Sequence, residues 1–259
     1  MSPKTQGYKT VKDFMRIVSL FNDFKVEALS ITEISKALNM DLSKVSRMLG
    51  TLNGEGFFER DPNDGKYRLG AEFFTLGMIY FSNIALRKII RPHIEQVAKE
   101  LNLTSNWAIL RNCRVIVMDR IQNLNIDLIS HRIGLNLPIY SSSLGKVLLA
   151  YLPEDEQDRI LQSVELKPFT PKTVVDPKLI KENLKLVVQS GCATDEGETH
   201  EHLNCIAAPI RNNKGEVIAA INITGETSRI LAEQFFEYTD YLKEKALFIS
   251  RQLGFGAHL

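Results

Sequence analysis

Residues 31–52 read ITEISKALNMDLSKVSRMLGTL. In the second half, Val45, Met48, Leu49 and Leu52 recur at i, i+3, i+4 and i+7, the one-sided stripe of an amphipathic helix. The opposite face carries Ser43, Lys44, Ser46, Arg47 and Thr51, with no acid after Asp41. An ordinary surface helix would place Glu among the cations for i,i+4 pairing. A face of small hydroxyls and cations suits close approach of something anionic. In the first half, Ile31, Ile34 and Leu38 form the stripe of a shorter helix. Ser30 or Thr32 can cap it, and Ser30-x-x-Glu33 has the spacing of a capping box. Asn39 suits a left-handed C-cap, and Asp41 caps the helix that follows. Two short helices joined by about three residues have helix-turn-helix spacing.

Working outward, Val11, Phe14, Met15, Val18 and Phe21 place a preceding helix over roughly residues 9–22. On the other side, GEGFFER (54–60) stops the helix and starts a strand. DPNDG (61–65) is strong turn chemistry, and KYRL (66–69) is the return strand. A hairpin directly after a helix-turn-helix is a wing, and its cations are Arg60, Lys66 and Arg68. The third helix then enters a major groove while the wing reaches a flanking groove or phosphates. The competing reading is plain packing of two helices with no nucleic acid involved.

The chain has 259 residues, enough for two modest domains, and its formal net charge is +1. Any basic footprint is therefore local, and affinity for DNA rests on few phosphate contacts multiplied by dimerisation. The three cysteines, Cys113, Cys192 and Cys205, are odd in number and widely spaced, which favours a reducing cytosol over a disulfide framework. The polar N-terminus has no apolar signal segment, and no apolar run reaches the ~20 residues of a membrane span. A cytoplasmic protein with no membrane partner is expected.

Residues 72–101 read as a largely helical connection. Phe73, Phe74 and the run 76–81 are too apolar for a solvated linker, so they pack on the winged domain or form part of a dimer interface. Pro92, preceded by Arg87, Lys88 and Arg91, is expected to interrupt the helix. After Leu103 the pattern turns to α+β. NWAILRNCRVIVMDRI (106–121) reads as strand, Asn-Cys turn, strand; IDLISHRI (126–133) and NLPIY (136–140) are further strands. A helix runs from about Leu144 to Leu152. Another is capped by Asp176, with Pro177 at its first position and Gly191 past its end. LNCIAAPIRNNKGEVIAAINITG (203–225) is a hairpin turning at residues 212–215, and RILAEQFFEYTDYLKEKALFISRQLG (229–254) is a closing helix.

Polar features converge if these elements pack with the helices beside a mostly antiparallel sheet. Ser141 to Ser143 stand at a helix N-terminus, a seat for a carboxylate or phosphate or simply a cap. Asn222 and Thr224 share one strand face and could meet a ligand or only each other. Asp195, Glu198, His200, His202 and Cys205 are possible metal ligands, and an extended segment would point His200 and His202 the same way. The spacing is not that of a zinc ribbon. A Cys205/His nucleophile pair lacks a third orienting residue and an oxyanion signature, so no catalytic residue and no cofactor is assigned.

Over roughly residues 9–255 the sequence resembles the IclR family of bacterial transcriptional regulators. Three segments in order carry the likeness: ITEISKALNMDLSKVSRMLGTLNGEGFFERDPNDGKYRLG, LPIYSSSLGKVLLAYL, and GCATDEGETHEHLNCIAAPIRNNKGEVIAAINITG. The resemblance implies a winged helix-turn-helix domain (1–71), linker helices (72–101) and a GAF-like effector domain (102–259), α+β in class. It implies a homodimer or homotetramer on a double-stranded DNA operator, more often a repressor, and a small organic acid as effector. Matching positions place Ser143, Leu144, Asp195, Cys205, Asn222 and Thr224 at the effector, and Ser43, Lys44, Ser46 and Arg47 on the DNA-reading face. His202 stands where the family usually has Gly, so the loop before Cys205 is expected to differ. A metal-responsive regulator, or a metal or thiol enzyme using His200, His202 and Cys205, is the alternative.

Overall fold

The structure, a computed structural model, describes residues 8–23, 26–122 and 133–256. The chain folds as two compact units, Met1–Ile84 and Ala85–Leu259.

The first unit holds α1 (Lys9–Asp23), α2 (Ile31–Leu38), α3 (Leu42–Gly54), β1 (Phe58–Arg60), β2 (Tyr67–Leu69) and α4 (Ala71–Ser82). Local chemistry fixes each boundary. Ser30 caps α2 and completes the capping box with Glu33, so two orphan N–H donors are satisfied reciprocally. Asn39 takes the left-handed conformation (φ 50°) that ends α2, and the Asp41 carboxylate accepts from Lys44 N–H to start α3. The wing is antiparallel, with Phe58 opposite Leu69, and Leu29 bridges Tyr67 to add a third short edge. Gly70 is required by close approach: a Cβ there would stand 2.1 Å from the Gly56 carbonyl oxygen.

The core of this unit is Ile17, Leu20, Phe21, Ile34, Val45, Leu49, Phe58 and Tyr67. This corrects the expected stripe of α1. Val11 and Met15 are exposed, and Ile17 and Leu20 take the buried face together with Phe21. The apolar arc of α1 is wider than one packing face, so periodicity alone does not say which side meets α2 and α3. α4 buries none of its residues, although Phe73 packs edge-on against Phe57 and Phe58.

The second unit is α5 (Ala85–Leu101), β3 (Thr104–Arg111), β4 (Arg114–Ile121), β5 (Asn136–Leu137), α6 (Ser143–Ala150), α7 (Glu154–Ser163), α8 (Pro177–Ser190), β6 (Ala193–Glu196), β7 (Leu203–Arg211), β8 (Val217–Glu226), a 3-10 turn (Ala232–Gln234) and α9 (Phe235–Gln252). The strands form one antiparallel sheet in the order β5-β4-β3-β8-β7-β6. Asn112 and Cys113 both take positive φ in the two-residue β3–β4 turn, as a tight hairpin requires. α5 and α9 pack against the sheet, and α6 packs against it and against α8.

Four expectations change. Pro92 does not interrupt its helix: α5 continues through it to Leu101. Buried Ile90, Ile94, Val97 and Ala98 hold the helix on the sheet despite the hydrogen bond that proline cannot donate. The NLPIY strand shrinks to Asn136–Leu137, and the closing helix begins at Phe235 after the 3-10 turn. α7 is an element that the hydrophobic pattern did not announce, because its first turn is Glu154, Asp155 and Glu156. The strand expected over 126–133 falls outside the described residues except for Ile133.

Gly145 explains how α6 seats. A Cβ there would stand 2.6–2.7 Å from backbone atoms of Pro138 and Ile139, so only glycine lets the helix start this close to the preceding chain. Alanines at 108, 193, 207 and 220 join the core that includes Leu144, Val147 and Leu148. These short side chains on the strands leave room for α6.

Candidate functional site

Two sites emerge, one in each unit. On α3, Ser43, Ser46, Arg47 and Thr51 are exposed, while Lys44 is half-buried. Lys44 Nζ is ion-paired with Asp13 of α1, so it ties two helices together. The Asp13 carboxyl is held below the usual range by its hydrogen bond from Lys44. Ser43 Oγ is engaged by the Asp41 cap, and Thr51 Oγ1 donates to the Arg47 carbonyl at 3.1 Å. Ser46 and Arg47 project outward, and Gly50 beside them has nothing within 4 Å of an added Cβ. In the wing, Arg60 Nε donates to the Gly65 carbonyl at 3.4 Å. Lys66 is half-buried. Arg68 is paired with Asp61 at 3.1 Å and lies near Asp64 and Glu27. Of the cations on this face, Lys44 and Arg68 are thus ion-paired and Arg60 is hydrogen-bonded within the wing.

In the second unit, strand register builds a polar patch on one sheet face. Thr104 pairs with Thr224, Thr224 with Cys205, and Cys205 with Asp195. In the next row Asn106 lies between Arg120 of β4 and Asn222 of β8. Asn106 Nδ2 donates to Asn222 Oδ1 at 2.9 Å, and Asn222 Nδ2 donates to Thr224 Oγ1 at 3.1 Å. The Thr224 hydroxyl donates to Cys205 Sγ at 3.3 Å. Asp195 Oδ1 accepts from the backbone N–H groups of Glu198 (2.8 Å) and Thr199 (3.2 Å). Ser141 meets Thr199 at 3.2 Å, and Lys146 of α6 donates to the Thr194 carbonyl and pairs with Glu198. Burial raises the carboxyls of Asp195 and Glu198 and the thiol of Cys205 above their ordinary values. Cys205 is thus a neutral thiol, not a nucleophile.

Ser143, Asp195, Cys205, Asn222 and Thr224 are all buried in this region, and Leu144 is in the core that supports it. Asn106, Lys146 and Thr199 belong to the same region and are not singled out by the sequence, whereas Ser141 is. The signal for Asn106 was present: Thr104, Ser105 and Asn106 are three buried polar residues at the start of a strand. Asn106 Oδ1 and Ser143 Oγ are buried with no hydrogen-bond partner. Such atoms are ordinarily satisfied by a ligand or an ordered water.

The metal alternative does not hold together. Residues 197–202 are bends and turns, and Leu203 N–H closes onto the His200 carbonyl at 2.9 Å, so the segment is not extended. His200 and His202 are exposed and Cys205 is buried, so the three do not converge. Among the described residues no group of three or more His, Cys, Asp or Glu could hold a metal ion. The positive φ of this loop falls on Gly197 (81°), not on His202. No single helix among the described residues is long and apolar enough to cross a membrane.

The IclR helix-turn-helix domain model matches residues 24–62, and that of the bacterial transcriptional regulator IclR C-terminal domain matches residues 78–251. The chain belongs to the IclR family. It is 29% identical to the HTH-type transcriptional regulator XynR of Escherichia coli K12, over 96% of this chain and 98% of that protein. It is 30% identical to the HTH-type transcriptional repressor AllR of the same strain, over 88% of this chain and 84% of that protein. The crystal structure of an IclR homolog from Microbacterium hydrocarbonoxydans, complexed with 4-hydroxybenzoate, superposes with a TM-score of 0.77 at 26% identity, covering 95% of this chain and 99% of that one. As an IclR-family protein, the chain is a DNA-binding transcriptional regulator rather than an enzyme.

Proposed function

We propose that this IclR-family regulator is a repressor whose operator affinity is set by a small organic acid held beneath the N-terminus of α6. The observation that carries this is the pair of buried, unpartnered atoms, Asn106 Oδ1 and Ser143 Oγ, beside the network Asn222–Thr224–Cys205–Asp195. A helix N-terminus favours negative charge, and Ser143 is the first residue of α6. Leu144, next along α6, is fully buried in the adjoining core. The 4-hydroxybenzoate complex of the Microbacterium homolog is in keeping with an acid.

The DNA side rests on Arg47, Ser46, Ser43 and Thr51 of α3, with Arg60 and Lys66 of the wing on phosphates. Gly50 adds close approach: a glycine in a helix interior costs about 1 kcal/mol relative to Ala, and no neighbour within the unit requires it. The chain acts as a homodimer or homotetramer. α1 exposes Val11 and Met15, with Tyr8 exposed just before it, and α4 exposes Phe74, Leu76, Ile79 and Tyr80. Apolar faces of this extent mark an interface, and a twofold pair of winged domains matches a near-palindromic operator. The test is isothermal titration of the purified protein with keto, hydroxy, sugar and aromatic acids. Saturable binding of one acid class, with loss of operator affinity at saturation, is expected. Binding confined to divalent metals and abolished by chelator would refute it.

A further inference from the structure

The hydrogen-bond chain beneath α6 has a direction. Asn106 gives its N–H to Asn222, Asn222 gives its N–H to Thr224, and Thr224 gives its hydroxyl proton to Cys205. Ser105 Oγ adds to this by donating to the Asn222 carbonyl at 3.0 Å, which holds the strand carrying Asn222 in place. The donors run along the row from Asn106 toward Cys205. What is left at the Asn106 end is its carbonyl oxygen, fully buried and without a partner. Ser143 Oγ, at the N-terminus of α6, is likewise buried and unpartnered.

We infer that Asn106 is a specificity-determining residue of the effector site, and that the effector is a hydroxycarboxylic acid whose hydroxyl donates to Asn106 Oδ1. This rests on the organic-acid reading above and narrows it. A carbonyl oxygen can only accept, so it demands an O–H or N–H from the ligand. Ser143 and the α6 N-terminus can receive the carboxylate. A ligand without the donor leaves the buried acceptor unpaired, which is the condition under which binding sites discriminate most strongly. Arg120, directly opposite Asn106 across β3–β4, adds a cation to the same row.

The test uses matched acids that differ by one hydroxyl: glycolate and acetate, lactate and propionate, 4-hydroxybenzoate and benzoate. Affinities are measured by isothermal titration on the full-length wild type and on Asn106→Ala. In the pair the wild type binds, the hydroxy acid is expected to bind at least ~10-fold more tightly, which corresponds to one well-made hydrogen bond. In Asn106→Ala the two members should become equal within ~2-fold, the deoxy acid keeping its wild-type affinity. Equal affinities in the wild type, or a hydroxyl preference that survives in Asn106→Ala, would show that Asn106 serves only a resident water, and the inference would fall while the organic-acid reading stood. Failure of every acid to bind the wild type would instead remove the organic-acid reading and this inference with it. Should Asn106→Ala not fold, Asn106→Leu, which keeps the volume and lacks the acceptor, takes its place in the same comparison.

Discussion

Lys44 of α3 is ion-paired with Asp13 of α1, and Asp13 is 4% exposed. A lysine read from sequence as a DNA contact is thus a strut between the helix that carries Arg47 and the helix packed behind it. Arg16 extends the arrangement by donating to the Leu38 carbonyl at 2.8 Å, at the C-terminus of α2.

Lys44→Ala should therefore lower the stability of the winged unit and weaken operator binding, with the salt dependence of binding unchanged. A phosphate contact would instead reduce the slope of log K against log salt by about 0.9. Arg47→Ala should leave the circular dichroism spectrum unaltered and remove discrimination between operator and random DNA, a loss of about 1–3 kcal/mol per base contact. Fluorescence anisotropy over a salt series separates the two behaviours.

The Asp13 carboxyl lies below its ordinary value, so its contribution to stability is present above that value and lost as pH falls through the lowered one. Asp195 has the opposite sign. Burial raises its carboxyl, so the folded state binds a proton more readily than the unfolded chain. Its ionised form opposes folding near neutral pH; that penalty shrinks as pH falls through the raised value and is gone only below the ordinary carboxylate value. Asp195→Asn keeps an oxygen to accept the Glu198 and Thr199 N–H groups. It should raise the midpoint of thermal unfolding at neutral pH, with the advantage shrinking as pH falls from the raised value toward the ordinary carboxylate one. Trp107, the one tryptophan of the chain, is buried in the same unit and reports the transition by fluorescence. A constant offset between variant and wild type across this range would contradict the assignment.

Arg91 NH1 donates to both oxygens of Asp119 at 3.1 and 2.9 Å, and Arg87 Nε stands 2.9 Å from the same carboxylate. Asp119 is fully buried on β4, so these bonds fasten the first two turns of α5 to the sheet. Asp119→Ala should destabilise the second unit by about 1–3 kcal/mol, less than for a fully buried pair because Arg87 and Arg91 remain partly exposed to water. Chemical denaturation followed through Trp107 measures it. Gly145→Ala should cost a similar amount, about 1–3 kcal/mol for overpacking, because its Cβ would collide with backbone rather than with a movable side chain.

Phe74 is 72% exposed and Tyr80 61% exposed on a helix that buries none of its residues. If α4 forms an interface between copies, Phe74→Glu with Ile79→Glu should shift sedimentation toward the monomer and weaken operator binding steeply. An unchanged oligomer with these substitutions would place the interface elsewhere.

Much of the fold was legible in the sequence because its boundaries are set by local chemistry. The Ser30–Glu33 capping box, the left-handed Asn39, the Asp41 and Asp176 caps and the Asn112–Cys113 turn each act within a few residues, and each stands where the spacing puts it. The errors arose where a distant partner decides. Val11 and Met15 belong to the helical spacing that places α1, yet they face outward, because the unit's core forms on the side that carries Ile17. Lys44 and Arg68 read as cations of the DNA-facing surface, and only the fold shows that Asp13 and Asp61 pair with them. Pro92 read as a break, yet the packing of α5 on the sheet overrides it. In the candidate site, Asn222 and Thr224 follow from strand alternation. Asn106 becomes meaningful only when β3 is seen beside β8.

Control of DNA binding by an acid is tested most directly by the affinity of the full-length protein for its operator, selected from a random DNA pool, with and without a saturating acid that binds the second unit. Coupling between two sites is typically 5–150-fold in affinity. A change of at least ~5-fold with the acid is expected, absent when Asn222 and Thr224 are both replaced by Val. Operator binding that is the same at every concentration of a bound acid would contradict such control.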